Sequence, residues 1–235
     1  AAAWHADGGT VVGLAPSAAA AAVLREQLGA GADTLAKLTW SIAHHDLPDW
    51  AQDVGPSTLV VVDEAGMADT LSLAAVVDFV IARGGSVRLI GDDQQLAAIG
   101  AGGVLRDIAA THGALHLTEL MRFVDPAEGA ASLALREGQP EALGFYLDRG
   151  RIHVGDLGVI TEDVFSAWAR DRADGLDSIM LTPTRDLTSQ LNQRAQAHRL
   201  DDANPGAGVR LADGNTAYVG EQVITRRNDR RYRTS

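Results

Sequence analysis

Two stretches of the chain carry side chains able to do phosphoryl chemistry. The first is Val60-Val61-Val62-Asp63-Glu64-Ala65-Gly66-Met67, where adjacent carboxylates close an apolar run. A carboxylate so placed holds Mg²⁺ in P-loop nucleotidases, and its neighbour can orient or deprotonate a water. An Asp-Glu pair standing alone reads equally well as a solvated loop after a strand. The second stretch is Leu89-Ile90-Gly91-Asp92-Asp93-Gln94-Gln95-Leu96, again an apolar run ending in acids and amides. Gln95 can hydrogen-bond a phosphate or a water, and Asp92 can bridge to backbone. By itself this stretch is a loop with a type I turn. Together the two read as a nucleotide-hydrolysis edge, because open α/β sheets bind ligands outside the carboxyl ends of their strands.

The elements that must position these groups alternate in type. Thr10 to Leu14 reads as a buried strand. Ser17 caps a helix over Ala18 to Leu28, which Gly29 ends. Thr58 to Val62 is a continuous β-branched run, the pattern of a parallel strand buried on both faces. A helix is predicted over Thr70 to Ala82, a strand over Ser86 to Ile90, a helix over Val104 to Ala110 and a short strand over Ala114 to Leu117. This β/α alternation indicates an open sheet with helices on its faces. Beyond a seam at Pro126, helices are predicted over 127–137, 140–148, 161–172 and 184–200. Strands are predicted at Arg151 to Val154 and Ser178 to Thr182, with short strands around an Asp213-Gly214-Asn215 turn in 209–225.

Composition bounds the chemistry. The 235 residues, 46% hydrophobic and 22% charged, suffice for one large domain or two small ones. The absence of cysteine excludes disulfides, thiol nucleophiles and cysteine metal sites. No apolar run approaches a membrane span, no secretory signal opens the chain, and a cytoplasmic setting is expected. The net charge of −11 argues against a generic basic nucleic-acid coat while leaving room for a local cleft. Lys37 is the only lysine, so any lysine-dependent motif must use it.

Taken in order, the motifs resemble superfamily 1B DNA helicases of the RecD-like type. Ala15-Pro16-Ser17 is similar to motif Ia, Asp63-Glu64-Ala65-Gly66 to motif II and Gly91-Asp92-Asp93-Gln94-Gln95-Leu96 to motif III. Leu117-Thr118-Glu119-Leu120-Met121-Arg122-Phe123 resembles motif IV. Leu181-Thr182-Pro183-Thr184-Arg185, leading to Leu191-Asn192, resembles the start of helicase domain 2A, and Val219 to Asp229 the segment entering a small β-rich insertion. The wording is nearest to the helicase region of conjugative relaxases (TraI/TrwC type, MobF family), which nick and unwind plasmid DNA for transfer.

The resemblance implies an α/β fold: a RecA-like open parallel sheet (domain 1A, incomplete) over 1–124, the start of a second RecA-like domain (2A) over 125–208, and the β-rich insertion begun at 209–235. It implies that Asp63 holds Mg²⁺, Glu64 positions or activates the attacking water, and Gln95 senses the γ-phosphate. Arg122 would serve as an arginine finger, the bland alternative being a surface ion pair with Glu119 or Asp125. Ser17 and Thr182 would touch the DNA backbone, with Lys37 and Arg185 beside them; simple solvation of Lys37 is an equal reading. The implied cofactors of the intact parent are Mg²⁺ and ATP, and its partner is single-stranded DNA.

The chain has no G-x-x-x-x-G-K-[ST] run to cradle phosphates. The family places that run one strand and one helix before motif Ia, so Ala1 to His5 is expected to be the tail of the P-loop helix. A piece starting there is expected to bind nucleotide weakly or not at all and not to hydrolyse ATP. Other readings remain: a helicase-like module that only holds single-stranded DNA, or an exonuclease V α-type repair subunit. His44-His45-Asp46 reads as a helix end rather than a metal site. Trp4, Trp40, Trp50 and Trp168 fit a core or its rim, with base stacking as the sharper alternative. Arg226, Arg227, Arg230, Arg231 and Arg233 are either phosphate contacts or a frayed end.

Overall fold

A computed structural model describes residues 1–95, 103–117, 119–200, 206–212 and 214–223. Leu96, Thr118, Asp213 and the terminal arginine cluster, all singled out above, lie outside the described residues. The chain divides into two compact units, Ala1–Glu119 and Leu120–Ser235.

The first unit is a four-stranded parallel sheet with helices on both faces. Its elements are α1 (Ala2–Ala6), β1 (Thr10–Ala15), α2 (Ala18–Leu28), β2 (Ala32–Thr34), α3 (Leu35–Ala43), α4 (Asp49–Gln52), β3 (Thr58–Val62), α5 (Thr70–Ile81), β4 (Ser86–Leu89) and α6 (Val104–His112). The strand order is β2-β1-β3-β4. The period of two along each strand sorts the core onto two faces. Val12, Leu14, Val60 and Val62 join Leu35, Leu38, Val76 and Val80 from α3 and α5 on one face. Val11, Leu59 and Val61 meet Trp4 and Leu28 on the other. All five residues of β3 are buried, so each valine there contributes about 1.5–3 kcal/mol of apolar burial.

Caps set the helix ends. Ser17 Oγ accepts the Ala20 N–H at 3.1 Å, and Gly29 closes α2 at φ +59°, a conformation that costs glycine nothing. Asp69 caps α5 by accepting the Ser72 N–H at 2.9 Å. Hydrogen bonds from the Ser72 side chain and backbone hold the Asp69 carboxyl below the usual carboxylate range. A depressed native pKa stabilises the fold above the ordinary carboxylate pKa and is lost as pH falls through the native value. Asp69→Ala is therefore expected to cost about 1 kcal/mol in urea denaturation at neutral pH. That difference should shrink in acid.

The second unit is helical: α7 (Pro126–Arg136), α8 (Ala142–Asp148), α9 (Leu157–Ala173) and α10 (Arg185–Leu200), with an antiparallel pair β5 (Val209–Arg210) and β6 (Thr216–Ala217). Asp125 caps α7, with Pro126 in its first turn. Glu221, in the Val219–Glu221 turn, accepts Gln196 Nε2, Arg199 Nη2 and the Tyr218 N–H, tying that turn to α10. Burial pushes this carboxyl up, but the hydrogen bonds outweigh it and hold it below the usual range.

Several expectations are corrected. No strand forms at 114–117, 151–154 or 178–182. A strand exists only with a hydrogen-bonding neighbour, and these apolar runs have none among the described residues. Leu115, Leu117, Val154, Ile179 and Leu181 are consequently exposed. The third unit-two helix begins at Leu157 rather than Thr161, because Asp156 accepts the Val159 N–H at 3.0 Å and starts it early. The sequence reading contains no β2 or α4, and of α3 it has only the helix end at His44. Among the described residues no helix is long and apolar enough to cross a membrane.

Candidate nucleotide edge and its neighbours

Because all four strands of the first unit are parallel, their carboxyl ends share one edge. Ala15 pairs with Thr34, Leu14 with Val62, and Val62 with Leu89. The segments beginning at Pro16, Leu35, Asp63 and Ile90 therefore leave the sheet side by side. The sequence alone predicts this for Asp63-Glu64 and Asp92 to Gln95, and the structure brings the two loops together.

Backbone hydrogen bonds carry the ladder past the last strand residues. The Asp63 N–H donates to the Leu14 carbonyl at 2.8 Å, Ile90 N–H to Val62 at 2.8 Å, and Ala65 N–H to Ile90 at 2.8 Å. Between Asp63 and Ala65 the chain turns sharply. Glu64 has φ +51° and ψ +37°, one of two non-glycine residues with positive φ among those described. That backbone costs an L-residue about 1–3 kcal/mol and persists only where its surroundings impose it. Here the flanking ladder bonds impose it, and a 3-10 turn at Ala65–Met67 follows. Asp63 Oδ1 accepts the Glu64 N–H at 3.0 Å. Both carboxylates are half-buried.

The second loop is held equally firmly. Asp92 Oδ1 accepts the Gln94 N–H at 3.0 Å, and the Arg106 guanidinium donates to the Asp93 carbonyl through Nε at 3.1 Å and Nη2 at 2.7 Å. Gln95 follows, exposed. Two glycines let the loops touch. A Cβ on Gly66 would lie 2.6 Å from the Asp92 carbonyl oxygen, and one on Gly91 3.0 Å from the Ala65 and Gly66 nitrogens. Sequence reasoning missed Gly66, Gly91 and Arg106 as positioning residues. Glycine inside both acidic motifs was the available signal for the first two; nothing local marked Arg106.

Of the other predicted site residues, Ser17 and Lys37 lie in the segments that follow β1 and β2 at the same edge. Ser17 is exposed, its oxygen spent as an acceptor on the α2 cap but its O–H still able to donate. Lys37, in the first turn of α3, forms an i,i+4 ion pair with Asp33. Arg122, Thr182 and Arg185 belong to the second unit. Arg122 is exposed; Asp125, weighed as its partner, pairs instead with Arg149 at 3.6 Å. The Thr182 hydroxyl lies 2.7 Å from that of Thr188 and donates to the Thr184 carbonyl at 3.1 Å. Arg185 opens α10, exposed. His44 closes α3, as a helix-end residue.

Residues 1–157 match the family described as AAA domain. A probable conjugal transfer protein TraA of Sinorhizobium fredii (strain NBRC 101917 / NGR234) is 30% identical over 234 residues, covering 97% of this chain and 21% of that protein. The conjugal transfer protein TraA of Agrobacterium fabrum (strain C58 / ATCC 33970) is 30% identical over 235 residues, and that of Rhizobium radiobacter 30% over 234, with the same coverage. The chain thus spans about one-fifth of the length of these relatives. With the parallel sheet, these matches bear out the RecA-like α/β fold and the helicase-like, relaxase-related kinship read from the motifs. The chain belongs to the AAA domain family.

Proposed function

We propose that the chain is part of the motor of an ATP-dependent DNA helicase that unwinds plasmid DNA in conjugal transfer. The observation that carries this reading is the convergence of Asp63-Glu64 and Asp92 to Gln95 on one carboxyl edge, with the backbone of both loops locked. Glu64 orients and deprotonates the attacking water. Gln95 follows a rigid turn and reports the γ-phosphate. Arg122, exposed and without an ion pair among the described residues, is available to neutralise charge on the transferred phosphoryl. Ser17 and Lys37 in the first unit, and Thr182 and Arg185 in the second, contact the strand. In this reading the second unit is the start of domain 2A.

The donor set fits Mg²⁺ held chiefly by a nucleotide. No group of three acidic or histidine side chains suited to a metal occurs among the described residues. Asp63 offers a carboxylate, and Mg²⁺ commonly takes one or two carboxylates together with waters and substrate phosphates. When bound there, the ion supplies charge neutralisation of the β- and γ-phosphates.

The test is single-strand-stimulated ATP hydrolysis by the full product of the gene, with unwinding of a tailed duplex as the second readout. The reading requires both activities, and a G-x-x-x-x-G-K-[ST] run encoded before Ala1. The 235-residue chain alone, which lacks that run, is expected to show no hydrolysis. A full product with neither the run nor the hydrolysis would sink the motor and leave a module that only holds DNA.

A further inference from the structure

The Gln95 side chain is exposed, and no group among the described residues bonds its amide. Its place is therefore set by the backbone that leads to it. Three residues make that backbone, and each has one main-chain group fixed. The Asp92 carbonyl lies so close to Gly66 that a Cβ there would come within 2.6 Å of its oxygen. The Gln94 N–H donates to Asp92 Oδ1 at 3.0 Å. The Asp93 carbonyl accepts Arg106 Nε at 3.1 Å and Nη2 at 2.7 Å. The first two restraints lie within the acidic loops; the third comes from α6.

A guanidinium suits that third task. A carbonyl oxygen has two lone pairs, and the Nε and Nη2 edge of arginine is a rigid fork able to meet both. Two charge-assisted bonds on one oxygen fix the peptide unit and resist its rotation. A lysine ammonium would hold the same oxygen from a single point. The fork is itself anchored. Arg106 is the third residue of α6, and Val104 and Leu105 before it pack against the larger core cluster. Leu105 Cδ2 would lie 3.2 Å from a Cβ on Gly91 and 3.7 Å from one on Gly66. The first turn of α6 thus meets both loops through Leu105 and grips the second through Arg106. Arg106 forms no ion pair among the described residues, so the Asp93 carbonyl is what it holds.

We propose that Arg106 is a positioning residue for hydrolysis: its grip on the Asp93 carbonyl holds the turn from which Gln95 meets the γ-phosphate. The inference rests on the nucleotide reading above and adds to it a residue that touches neither nucleotide nor metal. The γ-phosphate is the group transferred, so slackening this turn lowers turnover. A nucleotide lacking that phosphate is bound as before. Because the action runs through Gln95, removing Arg106 costs nothing further once the Gln95 amide is gone.

The experiment is a double-mutant cycle on single-strand-stimulated ATP hydrolysis by the full gene product, with binding of fluorescent ADP as the second readout. Gln95→Ala and Arg106→Ala are each expected to lower kcat about 10–100-fold. The double variant should be no slower than Gln95→Ala. Arg106→Lys should recover part of the loss, and both Arg106 variants should bind ADP as the wild type does. If Gln95→Ala is slow while Arg106→Ala matches the wild type, or if the two losses multiply, the grip is wrong and the nucleotide reading stands. Weaker ADP binding by Arg106→Ala would mean that Arg106 meets the nucleotide itself, and the proposal falls. It falls also if Gln95→Ala is as fast as the wild type. A wild type that hydrolyses no ATP overturns both readings. Thermal melts show whether Arg106→Ala has folded; should it not, Arg106→Lys with and without Gln95→Ala completes the cycle.

Discussion

Replacing Glu64 should separate catalysis from stability. In the full gene product, Glu64→Gln is expected to lower ATP hydrolysis by roughly 10²–10⁴-fold, the range for removing a positioned general base. The amide has nearly the shape of the carboxylate and leaves the backbone at φ +51°, so the melting temperature of the 235-residue chain should barely move. Glu64→Gly should abolish hydrolysis as completely but raise the stability of the chain by about 1 kcal/mol, because glycine adopts the left-handed conformation without the Cβ penalty. On the proposed function, a carboxylate kept where a glycine would be more stable is held for chemistry rather than for folding. Hydrolysis that survives Glu64→Gln would remove Glu64 as the base. A fall in stability with glycine would show that the side chain, not the turn, secures this loop.

The sheet was legible because burial and chemistry agreed in its sequence. The β-branched run Thr58 to Val62 announced a strand covered on both faces, and it forms with those bounds, fully buried. Once it and Ser86 to Ile90 were read as parallel neighbours, Asp63 and Asp92 had to emerge on one edge. The helix over Ala18 to Leu28 was legible from Ser17 and Gly29, both of which cap as expected. The second unit was less legible for a physical reason. The runs at 151–154 and 178–182 have strand composition, but composition supplies no hydrogen-bonding neighbour, and they stay unpaired among the described residues. The start of α9 was misplaced because Thr161 resembles a cap, whereas Asp156 reaches the Val159 N–H. The left-handed turn at Glu64 was invisible because glutamate has no preference for it; tertiary hydrogen bonds impose it.

Gly66 should be the least replaceable residue of the edge that bears no functional group. Its backbone lies against the Asp92 carbonyl, and an added Cβ would come within 2.6 Å of that oxygen, with Leu105 Cδ2 3.7 Å away. The obstacle is backbone, and that backbone is fixed: Ile90 is bonded to Val62 and Ala65, and Arg106 grips the Asp93 carbonyl. Neither loop can yield without breaking a ladder bond, so Gly66→Ala is expected to cost about 1–3 kcal/mol, as overpacking does. It should also push the two loops apart, and a shift of about 1 Å between catalytic groups lowers the rate about 100-fold. Gly144 is the control. It lies within α8, and nothing stands within 4 Å of its added Cβ. Gly144→Ala should therefore raise stability by about 0.5–1 kcal/mol. Urea denaturation of both variants, with hydrolysis by the full gene product, reads the contrast. A Gly66→Ala variant as stable and active as the wild type would mean that the two acidic loops are not packed backbone to backbone, and the edge would lose the rigidity on which its proposed chemistry depends.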